Sequence, residues 1–162
     1  MLIGCGKTAP DQQTTPKVEP IEAKLTPGMK VASKAHDEGR YADAVRMYTA
    51  ELATEEAKPA PSWVQLSHLN NQLGSALDEA GQYDKALEYY QKSLAIKLKQ
   101  LGPDHPSVAN SYHNIAFLYK DKKDLPKAKE YWEKAHAICL KKLGPDHPHT
   151  KLVKDQLDTL KE

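Results

Sequence analysis

Apolar side chains recur at helical spacing through most of the chain. The clearest region carries two successive stripes, Val108, Tyr112, Ile115 and Tyr119, then Leu125, Ala128, Trp132, Ala135 and Cys139. Residues three or four positions apart lie on one face of an α-helix, so each stripe predicts an amphipathic helix with one buried face. The polar residues Lys122, Lys123 and Asp124 separate the stripes and predict a short turn between two packed helices.

The same pattern of two helices and a turn is predicted twice upstream. The turns fall at Gly39-Arg40 and at Gly81-Gln82, where glycine can adopt the left-handed backbone that ends a helix. The segment Pro59-Ala60-Pro61 separates the first unit from the second, and the next helix is predicted to begin at Ser62 or Trp63.

A final helix is predicted from about residue 148 to residue 161. Its apolar positions are Leu152, Val153, Leu157 and Leu160. A stack of helical units needs a terminal helix of this kind, because the last unit would otherwise expose its apolar face.

An exact repeat shows that these units are related. Residues 101–106 and 143–148 both have the sequence Leu-Gly-Pro-Asp-His-Pro, and the two copies begin 42 positions apart. The same offset aligns Tyr48 with Tyr90 and Tyr90 with Trp132, which indicates three tandem units. In this six-residue motif, the glycine is predicted to end one helix and the second proline to lie in the first turn of the next.

Asp104 and Asp146 are predicted to cap the helix that follows each copy. The adjacent His105 and His147 then belong to capping turns, and they do not indicate a metal site. The remaining histidines show no spacing typical of a ligand pair.

The small and aromatic positions resemble the tetratricopeptide repeat signature. Leu73-Gly74-x2-Leu77 followed by Ala86-x3-Tyr90 matches it in the second unit, and Ile115-Ala116-x2-Tyr119 followed by Ala128-x3-Trp132 matches it in the third. The long second helix and the six-residue connector are similar to the repeats of kinesin light chains and related bacterial proteins. The resemblance implies an all-α, right-handed superhelical solenoid of three hairpins, at about 28–58, 63–101 and 106–143, plus the capping helix.

The resemblance also implies a function. Family members hold extended or helical peptides in a concave groove lined by the first helix of each hairpin, so a protein or peptide partner is expected. The groove positions carried over from the family are His68, Asn71, Gln72, Ser75, Asp78, Asn110, His113, Asn114, Phe117 and Lys120, with Lys30 and Ser33 in the first unit. Side-chain amides there can bond to a peptide backbone, and an exposed Phe117 is expected to anchor an apolar side chain.

Composition excludes several other classes of function. The formal net charge is +1, which is not that of an electrostatic nucleic-acid binder. Paired carboxylates, a Ser/His/Asp set and an activated cysteine are not found in a plausible arrangement, and Cys139 falls on an apolar stripe. The sequence therefore predicts a non-enzymatic interaction module without cofactor or metal, with a soluble self-associating scaffold as the alternative.

The first 27 residues differ from the rest of the chain. They form a run rich in Pro, Thr and Gln that predicts a flexible tether, and Leu2-Ile3-Gly4-Cys5 at its head resembles the lipobox of bacterial lipoproteins. Only Met1 precedes this motif, so either the start lies within a longer signal sequence or the match is accidental. Lipidation of Cys5 would place the protein in the bacterial envelope, anchored to the outer membrane, and without it a cytoplasmic location is expected.

Overall fold

The computed structural model describes residues 25–160, and these residues form seven α-helices and no strand. The helices are α1 (Pro27–Asp37), α2 (Tyr41–Glu56), α3 (Trp63–Glu79), α4 (Tyr83–Leu101), α5 (Pro106–Asp121), α6 (Leu125–Leu143) and α7 (Pro148–Thr159). Each helix packs chiefly against its neighbours along the chain, most closely within a hairpin, and α3 also touches α5. The predicted all-α solenoid of three hairpins with a terminal helix is confirmed.

The turns within the hairpins have the predicted geometry. Gly39 and Gly81 both have a φ of 73°, in the left-handed region that suits glycine. Lys123 occupies the equivalent place in the third hairpin with a φ of 62°. At the ends of α4 and α6, Gly102 and Gly144 also have positive φ, so the six-residue motif ends each long helix as predicted.

The capping residues of this motif are the histidines, so the assignment to Asp104 and Asp146 is wrong. His105 Nδ1 accepts a hydrogen bond from the Ser107 amide at 3.1 Å, and His147 Nδ1 does the same for the His149 amide. Because α5 and α7 begin at the following proline, the aspartates lie one residue too early to reach the first turn. Asp104 instead pairs with Lys141 of α6 at 2.5 Å.

Each hairpin contributes a large buried aromatic residue of its second helix to the core. Tyr48, Tyr90 and Trp132 are buried at equivalent positions. A Cβ atom built on Gly74 would lie 2.8 Å from the ring of Tyr90, so glycine permits the close approach of α3 and α4. Two predicted core positions are exposed instead: the side chains of Leu125 and Leu152 lie on the outer ends of their helical stripes.

The beginning of α1 is fixed by its own cap. The hydroxyl of Thr26 accepts a hydrogen bond from the Met29 amide and donates one to the Glu51 carboxylate at 2.5 Å, and Leu25 packs against the core. Residues 25 and 26 therefore belong with the helices. The rest of the predicted tether before α1, including Cys5, lies outside the described residues.

Candidate functional site

The odd-numbered helices α1, α3 and α5 share one face of the solenoid, which we call the odd-helix face. Its members are Ser33, His36, His68, Asn71, Gln72, Ser75, Asp78, Asn110, His113, Asn114, Phe117 and Lys120. Two contacts bring these helices together on this side: Asn114 Nδ2 donates to Asn71 Oδ1 at 2.8 Å, and Ser75 Oγ lies 3.5 Å from His36 Nε2. The face therefore contains most of the residues that the sequence assigns to the groove.

Most of these side chains are half-buried. Asn110 is exposed, as is Lys30 near the start of α1, whereas the other groove residues assigned in α3 and α5 are of intermediate exposure. An amide in this position keeps part of its hydrogen-bonding capacity for a molecule that approaches from solvent.

The core aromatics of α2 and α4 reach this face with their hydroxyl groups. Tyr48 shares hydrogen bonds with Ser33 and Gln72, and Tyr90 shares one with Ser75. Burial raises the pKa of both tyrosines against the effect of these bonds. The side chains of Ser33, Gln72 and Ser75 are thus positioned by tyrosines of the second helices.

The third hairpin presents an aromatic cluster. Phe117 stands perpendicular to Trp132 with ring centroids 5.3 Å apart, and it meets the His113 ring edge-on at 4.7 Å. Lys120 Nζ lies 5.7 Å from the Phe117 centroid. Phe117 is therefore packed against the core and half-buried, not exposed as expected, and its role as an anchor stays a prediction. Edge-to-face contacts of this kind hold the ring in a fixed orientation.

Two titratable residues on this face have pKa values far from their ordinary values. Burial, with a smaller contribution from His149, lowers the pKa of His113 to about 4, so this imidazole is neutral near pH 7, and its Nδ1 is buried without a partner. Burial together with the nearby Asp121 and Glu79 raises the pKa of Asp78 to about 6. One carboxylate oxygen of Asp78 is also buried without a hydrogen-bond partner.

A further set of residues occupies the junctions between hairpins. Glu55, Lys97 and Cys139 lie at equivalent positions of the three repeats, which we call the joint position, and each contacts the beginning of the next hairpin or α7. Glu55 Oε1 accepts from the Ser62 amide at 2.8 Å, Lys97 Nζ donates to Ser111 Oγ at 2.9 Å, and Cys139 Sγ lies 3.4 Å from His149 Nδ1.

His36 and Lys97 are not among the residues that the sequence predicts for the site. The repeat offset could have found His36, because it aligns with Asp78 and Lys120. No such signal marks Lys97, which belongs to a second helix and reaches the next hairpin only through its long side chain.

The described part of the chain gives no sign of a metal centre. Within residues 25–160, no group of three or more His, Cys, Asp or Glu side chains is arranged to hold a metal ion. None of the helices in this range is long and apolar enough to span a membrane.

The fold is that of a helical repeat protein, and its odd-helix face carries half-buried amide, imidazole and carboxylate groups. Family models of the tetratricopeptide repeat match residues 30–99, 65–121 and 108–149, which together include most of the chain. The protein belongs to the tetratricopeptide repeat family. A comparison with curated proteins finds no match.

Solved structures share the same architecture. The chain is similar to a Podosopora anserina protein with kinesin light chain nearly identical TPR-like repeats, with 26% identity and a TM-score of 0.72 over 85% of this chain and 65% of that one. The chain is also similar to BtubC from P. vanneervenii, with 22% identity and a TM-score of 0.71 over 82% of this chain and 52% of that one. The chain thus spans between half and two thirds of these two proteins.

A third similar structure is nearly the same length. It is the Yersinia enterocolitica type III secretion translocator chaperone SycD, with 18% identity and a TM-score of 0.63 over 86% of this chain and 85% of that one. At this identity the likeness concerns the fold alone.

Proposed function

We propose that the protein is a non-enzymatic adaptor that binds an extended or helical peptide of a partner protein on the odd-helix face. The observation that supports this most directly is the Asn71–Asn114 pair, which joins two hairpins at 2.8 Å while both amides remain half-exposed. Each amide has a donor and an acceptor left for a peptide backbone.

Substitution on the odd-helix face should weaken peptide binding. Short random peptides selected on the full chain supply the probe, and their dissociation constants are then measured by fluorescence polarisation. The double variant Asn71→Ala/Asn114→Ala should bind at least roughly tenfold more weakly, which corresponds to about 1.4 kcal/mol. Addition of Phe117→Ala should weaken binding further, because it removes the fixed ring.

A matched variant controls for the general effect of alanine substitution. Glu88→Ala/Lys92→Ala changes two exposed residues of α4 and should bind like the wild type. Equal affinities of the wild type, of Asn71→Ala/Asn114→Ala and of this control would contradict a binding site on the odd-helix face.

We also propose a location. The lipobox-like start of the chain supports tethering to the bacterial envelope through a lipid on Cys5, with the Pro/Thr/Gln-rich segment as a spacer. Mass spectrometry of the native protein should show a chain that begins at Cys5 and carries acyl groups. An unmodified chain that begins at Met1 would contradict the lipoprotein assignment and leave the adaptor function untouched.

A further inference from the structure

The third hairpin contains a pair of stacked tyrosines between α5 and α6. The rings of Tyr119 and Tyr131 have centroids 5.5 Å apart and planes inclined by 16°, an arrangement in which aromatic rings attract each other. Lys127 Nζ lies 5.1 Å from the centroid of Tyr119, and Lys134 Nζ lies 4.8 Å from that of Tyr131. Two rings and two ammonium groups therefore form one layered cluster.

The second hairpin repeats this cluster with one ring fewer. Three of its four members have the same residue type 42 positions earlier, namely Lys85, Tyr89 and Lys92. The fourth, Tyr119, is replaced by Leu77. Lys92 Nζ lies 4.6 Å from the centroid of Tyr89, and Lys85 Nζ donates to Gln82 Oε1 at 3.1 Å. The second hairpin thus keeps both lysines and one tyrosine around a smaller aliphatic side chain.

An open groove lies at this place. Its volume is about 440 Å³, within the range of clefts that hold small ligands. Its lining comes from α2, α3 and α4 and includes Val45, Thr49, Leu73, Leu77, Lys85 and Tyr89. We call it the rear groove. Its residues Leu73 and Leu77 lie on the opposite side of α3 from Asn71 and Ser75, because an α-helix turns by about 100° per residue. The rear groove is therefore separate from the odd-helix face.

The chemistry of the rear groove suits an aromatic ring. Val45, Leu73 and Leu77 supply apolar contacts, Tyr89 supplies a ring for stacking, and Lys85 supplies a positive charge. The face of an aromatic ring carries a negative potential, so it attracts an ammonium group. An aliphatic side chain would gain the apolar contacts alone. Charge and shape together therefore favour the kind of ring that Tyr119 provides in the third hairpin.

The chain itself offers no accessible ring for this groove. Residues 1–24 and 161–162 contain no Phe, Trp or Tyr, so these segments cannot supply one. Within residues 25–160, every Phe, Trp and Tyr side chain is buried or half-buried, so a second copy presents no exposed ring from that region.

We propose that the rear groove receives an aromatic side chain, such as tyrosine, from a partner protein. The ring lies against Tyr89 and Lys85, as Tyr119 lies against Tyr131 and Lys127 in the third hairpin. This site does not depend on the proposed function of the odd-helix face, and it gives the solenoid a second binding surface on its other side.

The test is a titration of the full chain with N-acetyl-tyrosine amide, which presents the tyrosine side chain without charged ends. Methyl NMR signals of Val45, Leu73 and Leu77 should shift through the ring current of the bound probe, with a millimolar dissociation constant. Signals of Leu87 and Ile115, which occupy the equivalent places beside Tyr119, should stay unchanged. N-acetyl-leucine amide should bind about three- to tenfold more weakly, because it lacks the stacking contribution.

Two variants of the rear groove sharpen the test. Leu77→Tyr should fill the groove with a ring of the chain itself and abolish binding, and its unfolding temperature should be no lower than that of the wild type, since the third hairpin accepts tyrosine at this position. Lys85→Gln should weaken binding roughly two- to fivefold. Lys99→Gln is the matched control, because it removes a positive charge from an exposed position of the same helix, and it should bind like the wild type.

The outcomes separate this inference from the proposed function. Asn71→Ala/Asn114→Ala should bind the probe like the wild type, because it changes only the odd-helix face. Unchanged methyl signals in the wild type, equal affinities for the two probes, or full binding to Leu77→Tyr would overturn the rear groove and leave the odd-helix face intact. Self-association of the wild type that Leu77→Tyr abolishes, measured by light scattering, would assign the groove to a second copy and overturn the assignment to a partner protein.

Discussion

Replacement of Trp132 by alanine should lower the free energy of unfolding by about 3–5 kcal/mol, the range for a large aromatic residue removed from a packed core. Trp132 is 0% exposed and lies under the perpendicular ring of Phe117 at 5.3 Å. Its loss leaves a cavity between α5 and α6 that neighbouring helices cannot fill without moving. Urea denaturation followed by circular dichroism measures the change.

Trp63→Ala is the matched control for this prediction. Trp63 is the other tryptophan of the chain and is partly exposed in the first turn of α3, so its removal should cost less than about 1 kcal/mol. Hydrogen exchange should also show that Trp132→Ala loses protection in α5, α6 and α7 before α1 and α2, because each hairpin is stabilised by its neighbours only. Equal losses for the two tryptophan variants would contradict the assignment of Trp132 to the core.

Asp78 should make the stability of the fold depend on pH. Asp78 has its pKa raised from 3.8 to about 6 in the folded chain, first by burial and then by Asp121 and Glu79. The folded state therefore binds a proton more tightly than the unfolded state. The contribution of Asp78 to the free energy of unfolding should be fully present below pH 4, fall as the pH rises from 4 to 6, and stay lost above 6.

Asp78→Asn removes this penalty. The shift in pKa sets an upper limit of about 3 kcal/mol, and partial exposure to solvent reduces the expected gain to about 1–2 kcal/mol at pH 8. The difference between variant and wild type should disappear near pH 4. Glu88→Gln, an exposed carboxylate of α4, should show no such pH-dependent gain. A gain for Asp78→Asn that is the same at pH 4 and pH 8 would exclude titration of Asp78 as its cause.

The fold is predictable from the sequence because the signals for its helices and turns are local and repeated. Gly39, Gly81, Gly102 and Gly144 end helices through a backbone preference that needs no distant contact, and the 42-residue offset places equivalent residues at equivalent positions. The first residues of the helices are less predictable. Asp104 and His105 can both act as an N-cap, and which of them does so depends on the residue at which α5 begins.

The site was only partly predictable for a different reason. Periodicity assigns a residue to a face, but it does not show how far a long side chain extends. Lys97 belongs to the second helix of its hairpin and so was not considered for the first-helix groove. Phe117 lies on the odd-helix face, as its position in the first helix of its hairpin predicts. Its contact with Trp132 depends on the size of the residue in the next helix, which the family pattern does not specify.

The contacts of this solenoid join helices that are neighbours in the sequence. Because every helix packs chiefly on its neighbours along the chain, contacts among residues 25–160 require almost no distant part of the sequence. A ribosome that has released residues 25–56 has already delivered both halves of the first hairpin, so the earlier repeats can close while the later ones are still being translated.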